Sequence, residues 1–523
     1  MLKNNCLLIS TLVYQLAAIN LCCMADNPQV AFNVPVGQRQ LFLDDMGIAQ
    51  LDNLKRTMHQ PDKKGAVIRC DPDRSGPDQY VIQIHTPPIW DPNERIWKCW
   101  TTTPRSVGGY WEASAYWESQ DGLHWTKPNL GQFEFEGSKA NNYISFEFQE
   151  KRYGPHCVVY DPTDPDPQRR YKSALPPFCM AVSPDGRRWK GLDIHVQNRD
   201  TYTFSFDQSR HLFIVASRKG HWSDRKVILS TSQDFENWDF HGLILEADQR
   251  DMEIGLKKIE ERFKDPTLKD PEYNRPQDYN SQVYRMGVFG YEGLFIGLPM
   301  MYYRTAQMPP GWEGFDEMDL PERLRKDTDQ GGDATAIFEI QLACSRDLQN
   351  WKRLGNRQAF IGPSRVGSGA YDTHCIMNGD YPLVRGDELW FYYSGAKSYA
   401  IISERLSDQG AICLAVLRRD GFISLDAGDT EGVLVTEPFV FQGNQLFVNV
   451  HARHQGKLIV EALDEDDHML ARSAPTTGDQ PRAMIRWEQG DATNLANRTV
   501  RLRFRVLNAS FYSYWCDRTD SQE

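Results

Sequence analysis

Four times this chain writes Ser-x-Asp-x-x-x-Trp: "SQDGLHW" at Ser119, "SPDGRRW" at Ser183, "SQDFENW" at Ser232 and "SRDLQNW" at Ser345. Each copy follows a short β-like run: "ASAYWES", "FCMAVS", "KVILSTS", "EIQLACS". A strand that ends at Ser, turns at Asp and restarts at Trp is one hairpin. Asp suits the turn because its carboxylate accepts hydrogen bonds from backbone N–H groups just ahead. Trp offers a large apolar face for a neighbouring unit. A fifth, degenerate copy is "AICLAVLRRDGFISL", with Phe422 in the place of Trp.

Two further strand-like runs precede each hairpin. They are "QYVIQIH" and "RIWKCWTTT", "HCVVYD" and "RRYKSAL", "TYTFSFD" and "HLFIVASRK", "VYRMGVF" and "LFIGLPMMYY", "CIMNGDYPLV" and "ELWFYYSG". Five units of four short antiparallel strands predict a five-bladed β-propeller, with Trp filling space between blades. The intervals between copies are uneven because loops of different length sit on a constant core. The competing reading is one large β-sandwich with coincidental echoes. From about Gly432 the text changes to "VLVTEPFVF", "QLFVNVHA", "LIVEALDED" and "TVRLRFRV" without the Trp hairpin, which predicts a β-sandwich. The expected division is a signal peptide over 1–25, the propeller over 26–430 and the sandwich over 431–523. The fold class expected is all-β.

At 523 residues, two domains are the starting expectation. The net charge is −12 and no Lys/Arg-rich run appears, which argues against a partner that is nucleic acid or an anionic membrane. Lys3, the apolar run Cys6 to Leu21 and the small residues of "CCMA" read as a cleavable export signal, so the chain is expected outside the cytoplasm. Acylation at Cys22 or Cys23 is the alternative, but "INL" is a poor lipobox. None of the remaining cysteines forms a Cys-x-x-Cys pair, and several sit in apolar strand text, as small buried hydrophobes do. Disulfides are not the framework.

In a propeller every innermost strand runs the same way along the axis, so one face gathers all the strand starts. The loops after the second strands share that face. Acids recur at every turn between first and second strands (Asp91, Asp161, Asp207, Glu292, Asp387), and so regular a position reads as a turn device. The inner-strand starts are less uniform: Asp78, His156, Asp200, the run Asp278, Tyr279, Asn280, and Asp372 with His374. Glycosidic cleavage needs one carboxyl that stays protonated and one that is ionised. Asp200 and Asp372 are the expected pair, with Asp78 a further candidate; a turn cap is the plain alternative for any one of them. Arg218, Lys219, Trp222, Arg304 and Lys397, on loops after second strands, are candidate sugar-binding residues, since cations and aromatics suit hydroxyls, acid groups and sugar rings. Tyr279, His156 and His374 join them. The two histidines are also compatible with a central structural cation or with plain core hydrogen bonding; no metal site and no cofactor is expected. The longest insertions, about 246–282 and 304–335, open on the same face.

The stretches "LFLDD", "NLKRTMHQPDKKGAVIR", "SQDGLHW", "RRYK", "STSQDFENW", "YEGLFIGL" and "LRRDGFISLDAG" resemble exported bacterial proteins grouped with the N-terminal propeller of glycoside hydrolase family 32, a family related to families 43 and 68. The resemblance implies a five-bladed propeller with a β-sandwich, and activity on glycosides. Within the resembling stretches Asp44, Asp45 and His59 stand out, Asp45 as a further catalytic candidate and His59 as a substrate ligand. "WDPN" at Trp90 looks like part of the sucrose-cleaving signature, but it runs straight into a second strand, and the full signatures of those enzymes are absent. Fructoside specificity therefore does not carry over. The expected function is a secreted glycoside hydrolase acting on a poly- or oligosaccharide. The alternatives are a noncatalytic glycan-binding propeller and, because the repeated turn is similar to the sialidase Asp box, a sialidase, whose six blades disagree with the five counted.

Overall fold

The computed structural model describes residues 32–69, 83–102, 112–135, 137–175, 179–197, 201–220, 224–264, 276–304, 336–365, 367–397, 408 and 410–518. Five antiparallel sheets carry the repeats. The second blade is the simplest: Cys157–Tyr160, Tyr171–Leu175, Cys179–Ser183 and Lys190–Leu192 pair in chain order. The third repeats it with Tyr202–Asp207, Leu212–Lys219, Lys226–Ser232 and Asp239–Leu245. In the first blade the inner strand is split into Gln83–Ile84 and Ile89–Asp91 around two prolines, both pieces pairing with Ile96–Thr102. The fifth is split likewise, into Cys375–Asn378 and Leu383–Arg385 beside Glu388–Ala396. Pro has no N–H to give a ladder, so the breaks fall where Pro87, Pro88 and Pro382 stand. The fourth blade is built on the long hairpin Asn280–Tyr291 and Leu294–Arg304. Five sheets around the axis leave no place for the six-bladed sialidase arrangement.

The repeated heptad forms one structure four times. Asp Oδ1 accepts the amides two and three residues ahead, at Leu123 and His124, Arg187 and Arg188, Glu236 and Asn237, Gln349 and Asn350. The Ser hydroxyl donates to the same Asp oxygen and accepts the Asp amide. The Trp indole N–H closes the turn on the carbonyl of Gly122, Gly186, Phe235 or Leu348 at 3.0–3.1 Å. The residue after Asp has positive φ in every copy. Gly fits that conformation freely, whereas Phe235 and Leu348 are strained there by about 1–2 kcal/mol. Both are buried, at 0% and 6% exposure, and burial of such side chains contributes about 1.5–3 kcal/mol, so packing wins.

Each turn docks on the preceding blade, which is why the motif recurs. Tyr392 and Arg385 of the fifth blade donate to the Gly122 and Asp121 carbonyls of the first. Trp100 and Lys98 of the first donate to Gly186 and Asp185 of the second. Arg169 of the second pairs with Glu236 of the third, and Leu348 of the fourth enters the core that holds Ile214 and Leu229 of the third. Three of the acids at the first-to-second-strand turns behave as the turn device expected: Asp91 caps Asn93 and Glu94 and binds Lys98 at 2.6 Å, while Asp161 and Asp207 cap their own turns and bind Lys172 and Arg210. Glu292 instead accepts the distant Arg39 amide and pairs with Arg419.

These turns set a pH response. Backbone and side-chain donors at His124, Asn237 and Asn350 hold the carboxyls of Asp121, Asp234 and Asp347 well below the usual carboxylate range. A carboxyl depressed in the folded state stabilises above its unfolded pKa of about 3.9, and that contribution is lost as pH falls through the folded value. The triple variant Asp121→Asn, Asp234→Asn, Asp347→Asn is therefore expected to lose less Tm than the parent between about pH 5 and about pH 3. Parallel Tm-against-pH curves for the two proteins would refute this.

One expectation is corrected. The outer strand of the fifth blade is not "GFISL" but Asp62–Arg69, from the other end of the propeller, paired with Gly410–Arg418. A ring of blades has two free ends, and a strand borrowed from the start of the chain joins them by backbone hydrogen bonds. Ile423–Ala427 leaves the blade and pairs instead with Lys55–Met58 and with Thr499–Asp517. The C-terminal β-sandwich thus also takes in Gln40–Leu41, Ile48–Asp52 and Lys55–Met58, so sheet membership does not divide at 430. Its core gathers Val34, Phe42 and Leu425 with Leu446, Val460, Phe504 and Phe511. The helix Gln249–Phe263 was not read from the sequence, although Asp248 and Asp251 form a capping box at its start. Lys258 fastens it to buried Glu339 at 2.7 Å, and Arg353 to buried Asp251 at 3.2 Å. Among the described residues no helix is long and apolar enough to cross a membrane. The seven described cysteines are buried and unbridged.

Candidate functional site

The strand register fixes which candidates share a face. Tyr202 pairs with Ser217, Asn280 with Arg304, Cys375 with Ala396 and Cys157 with Ala174. Inner-strand starts and second-strand ends therefore lie side by side at one end of the ring, as antiparallel pairing requires. His156, Arg218, Lys219, Tyr279, Arg304, His374 and Lys397 all stand there. Asp78, Asp200 and Trp222 lie outside the described residues.

Below these positions a buried polar network joins the first, third, fourth and fifth blades, with a histidine of the second beside it. Arg285, 1% exposed on the fourth inner strand, donates to the Asp380 carboxylate and the Asn378 carbonyl of the fifth, and to His85 Nδ1 of the first at 3.0 Å. Asp380 crosses to accept the Phe204 amide of the third blade at 2.8 Å. His156 of the second stands with its ring 5.9 Å from that of His85. Burial pushes the Asp380 carboxyl up to about 7, while the Arg285 guanidinium and the Phe204 amide pull against it. Burial also presses His156 down to about 3 and, with Arg285 and His156 adding, His85 well below the ordinary range. Both rings are therefore neutral near pH 7. A guanidinium only donates, so His85 Nδ1 accepts and its proton is assigned to Nε2. The positive charge at this floor is a guanidinium, and among the described residues no group of three or more His, Cys, Asp or Glu is gathered for a metal.

Above the floor the fourth blade presents Tyr284, Tyr302 and Phe338, the last two stacked at 4.4 Å. Arg218 and Arg225 of the third blade lie 5.1 and 5.2 Å from the Tyr284 ring, and Arg225 donates to Gln282 at 2.6 Å. Tyr302, Phe338 and Arg225 are buried here, so the partly exposed groups of this wall are Arg218 and Tyr284. His374 accepts from Arg262 of the helix at 2.8 Å and is fully buried, and burial lowers it well below the ordinary range. Lys397 pairs with Asp408 at 2.9 Å over the Tyr371 ring. Tyr279 borders a small cavity of about 150 Å³ against the helix.

Three candidates stand elsewhere or are already engaged. Asp372 is 3% exposed; its carboxylate takes Lys63 of the borrowed strand at 2.6 Å and the Tyr393 hydroxyl at 2.9 Å, which ties the linker after the fourth blade to the fifth. Asp45 is an exposed partner of Arg56 at 2.5 Å and reaches Lys352 on the outermost strand of the fourth blade at 3.8 Å, the part of the blade farthest from the axis. Arg56 draws its carboxyl below the usual range. His59 bonds Ser424 at 2.7 Å and packs its ring 5.3 Å from Tyr512, at the seam with the sandwich. Sequence reasoning singled out Asp45 and His59 because they lie in the stretches that carry the family resemblance, and such text shows no depth. It missed Arg285 and Asp380, although a lone cation inside "VYRMGVF" and an acid inside "MNGDYP" were the available signals.

No protein-family model matches this chain, and no curated protein matches it. Among solved structures it is similar to a Bombyx mori GH32 beta-fructofuranosidase, at 10% identity over 86% of this chain and 95% of that one, with a TM-score of 0.36. It is similar to an exo-beta-1,3-galactanase of Phanerochaete chrysosporium, at 8% identity over 87% and 99%, with a TM-score of 0.32. An N-acetylgalactosamine deacetylase from F. plautii is similar at 12% identity over 75% and 96%, with a TM-score of 0.29. The five-bladed architecture rests on the strand pairing described above, independently of these likenesses.

Proposed function

We propose that this chain is an exported glycoside hydrolase that cleaves a poly- or oligosaccharide in the well formed by the inner-strand starts. The observation that supports the reading is the joint construction of the well: a buried network joins four blades at its floor, with His156 of the second beside it, and partly exposed Arg218 stands over Tyr284. Cations and aromatic faces bind hydroxyls and ring C–H groups without doing the chemistry. The chemistry needs a proton donor and an ionised partner, one on each side of the scissile bond.

Asp372 is taken up by Lys63 and Tyr393, and Asp45 by Arg56. The acid–base work is therefore assigned to Asp78 and Asp200, which precede the first and third inner strands in sequence. The test is a screen of plant, algal and host glycans for released reducing ends, followed by Asp78→Asn and Asp200→Asn. Each substitution is expected to lower turnover by about 10²–10⁴ with the melting curve unchanged. Full activity in both variants would remove the assignment. The engagement of Asp372 also favours a second reading, a glycan-binding propeller without hydrolysis. That reading predicts saturable binding and no product after prolonged incubation.

A further inference from the structure

The first-to-second-strand turns and the Asp turns lie at the end of the ring opposite the well. There the first and fifth blades share a row of tryptophans. Trp90, on Ile89–Asp91, and Trp97, on Ile96–Thr102, are cross-strand partners with rings 5.4 Å apart. The Arg385 guanidinium of the fifth blade lies over Trp97 at 5.3 Å and over Trp390 at 4.1 Å. Arg385 is itself pinned, since it donates to the Asp121 carbonyl at 2.6 Å, and the Trp390 N–H is held by Glu388 at 2.7 Å. The four side chains form one ladder across the seam between two blades.

Two observations set this ladder apart from core packing. Trp90 is 37% exposed, and neither Trp90 nor Trp97 belongs to any of the apolar cores. Tryptophans that pack the same blade are covered, as Trp100 and Trp117 are at 2% and 3% exposure. The indole N–H groups of Trp90 and Trp97 also make no hydrogen bond among the described residues. Apolar faces and unused donors thus stand side by side, as they do where Trp serves binding. Arg385 and Glu388, themselves cross-strand partners, bring one charge of each sign, and exposed Asp387 adds an acid. Nothing here favours an anionic ligand.

We propose that this ladder is a surface binding site for a soluble neutral polysaccharide. Sugar rings lay their C–H faces on Trp90 and Trp97, and the two indole N–H groups donate to hydroxyl or ring oxygens. The ring planes are tilted by 55°, which seats a twisted chain and not a flat crystalline surface. Strand pairing and Arg385 already hold the rings, so binding costs little ordering. The site goes beyond the reading of the well and does not depend on it.

Native electrophoresis of the full chain through gels containing laminarin, xylan or galactomannan tests it, with polygalacturonate as the acidic comparison. At least one neutral polymer is expected to retard the parent. Trp90→Leu is expected to weaken that binding about tenfold, the scale of one lost aromatic anchor. Trp90→Phe, which keeps a ring, is expected to retain most of it, and melting curves of both variants separate loss of the ring from loss of the fold. Asp78→Asn and Asp200→Asn proteins are expected to be retarded as the parent is, so failure of the well chemistry and failure of the ladder are distinguishable. Four results overturn the proposal. They are no retardation by any neutral polymer, a Trp90→Leu protein retarded no less than Trp90→Phe, and stronger retardation by polygalacturonate than by the neutral polymers. The fourth is self-association of the parent that Trp90→Leu abolishes, which would make the ladder a contact between two copies.

Discussion

Replacing Arg285 by Met, or Asp380 by Leu, is expected to destabilise the propeller by about 3–5 kcal/mol, because each leaves one charge buried without its partner. Arg285 and Asp380 are 1% and 0% exposed, so water cannot take over the lost contact. Each change also strands another group. Without Arg285, His85 Nδ1 loses its donor; without Asp380, the Phe204 amide loses its acceptor. The double variant should cost clearly less than the two single effects added, since replacing a buried pair with apolar groups of similar volume is close to neutral. A denaturant-unfolding cycle measures the coupling. Simple additivity would show that the floor of the well is not held by this pair.

Asp420→Ala is the second change expected to cost about 3–5 kcal/mol, by the same physics at a different seam. Asp420 belongs to the degenerate fifth copy of the repeat and is fully buried. In the other copies the Asp caps its own turn; here the carboxylate gathers distant partners. Arg39 donates at 2.6 Å, the Tyr291 hydroxyl at 2.7 Å and the Ser513 hydroxyl at 2.5 Å, with Asn449 at 3.4 Å. Tyr291 is in the fourth blade, whereas Asn449 and Ser513 are in the sandwich, so one acid holds both units. Beside it Glu292 accepts the Arg39 amide and pairs with Arg419. Phe422, where the other copies have Trp, packs on Tyr291, Phe360 and Phe391. The Ala variant is therefore expected to loosen the sandwich before the propeller unfolds, seen as faster hydrogen exchange across Asn449 and Ser513 with the blade strands still protected. Asp420→Asn should fall between, keeping acceptor capacity but losing the charge that balances Arg39. Parent-like exchange in the Ala variant would mean the seam is held elsewhere.

The sequence by itself determined the blade count and the identity of nearly every blade strand, because a turn closed by Ser, Asp and Trp is local. The hydrogen bonds that close it fall within seven residues, so text alone can report it. The same locality explains why Asp91, Asp161 and Asp207 read correctly as turn acids. The helix was legible in the same way through Asp248 and Asp251, and was passed over because β text surrounds it.

What lay beyond local text was decided by the tertiary structure. Closure of the ring by Asp62–Arg69, the engagement of Asp372 with Lys63, and the meeting of His85, Arg285 and Asp380 join residues separated by tens to hundreds of positions. A pattern of alternation tells which way a side chain leaves its strand, not which strand from another blade stands opposite. That choice is made by packing around the axis, and it settles whether an acid faces the well, caps a turn or disappears into an ion pair.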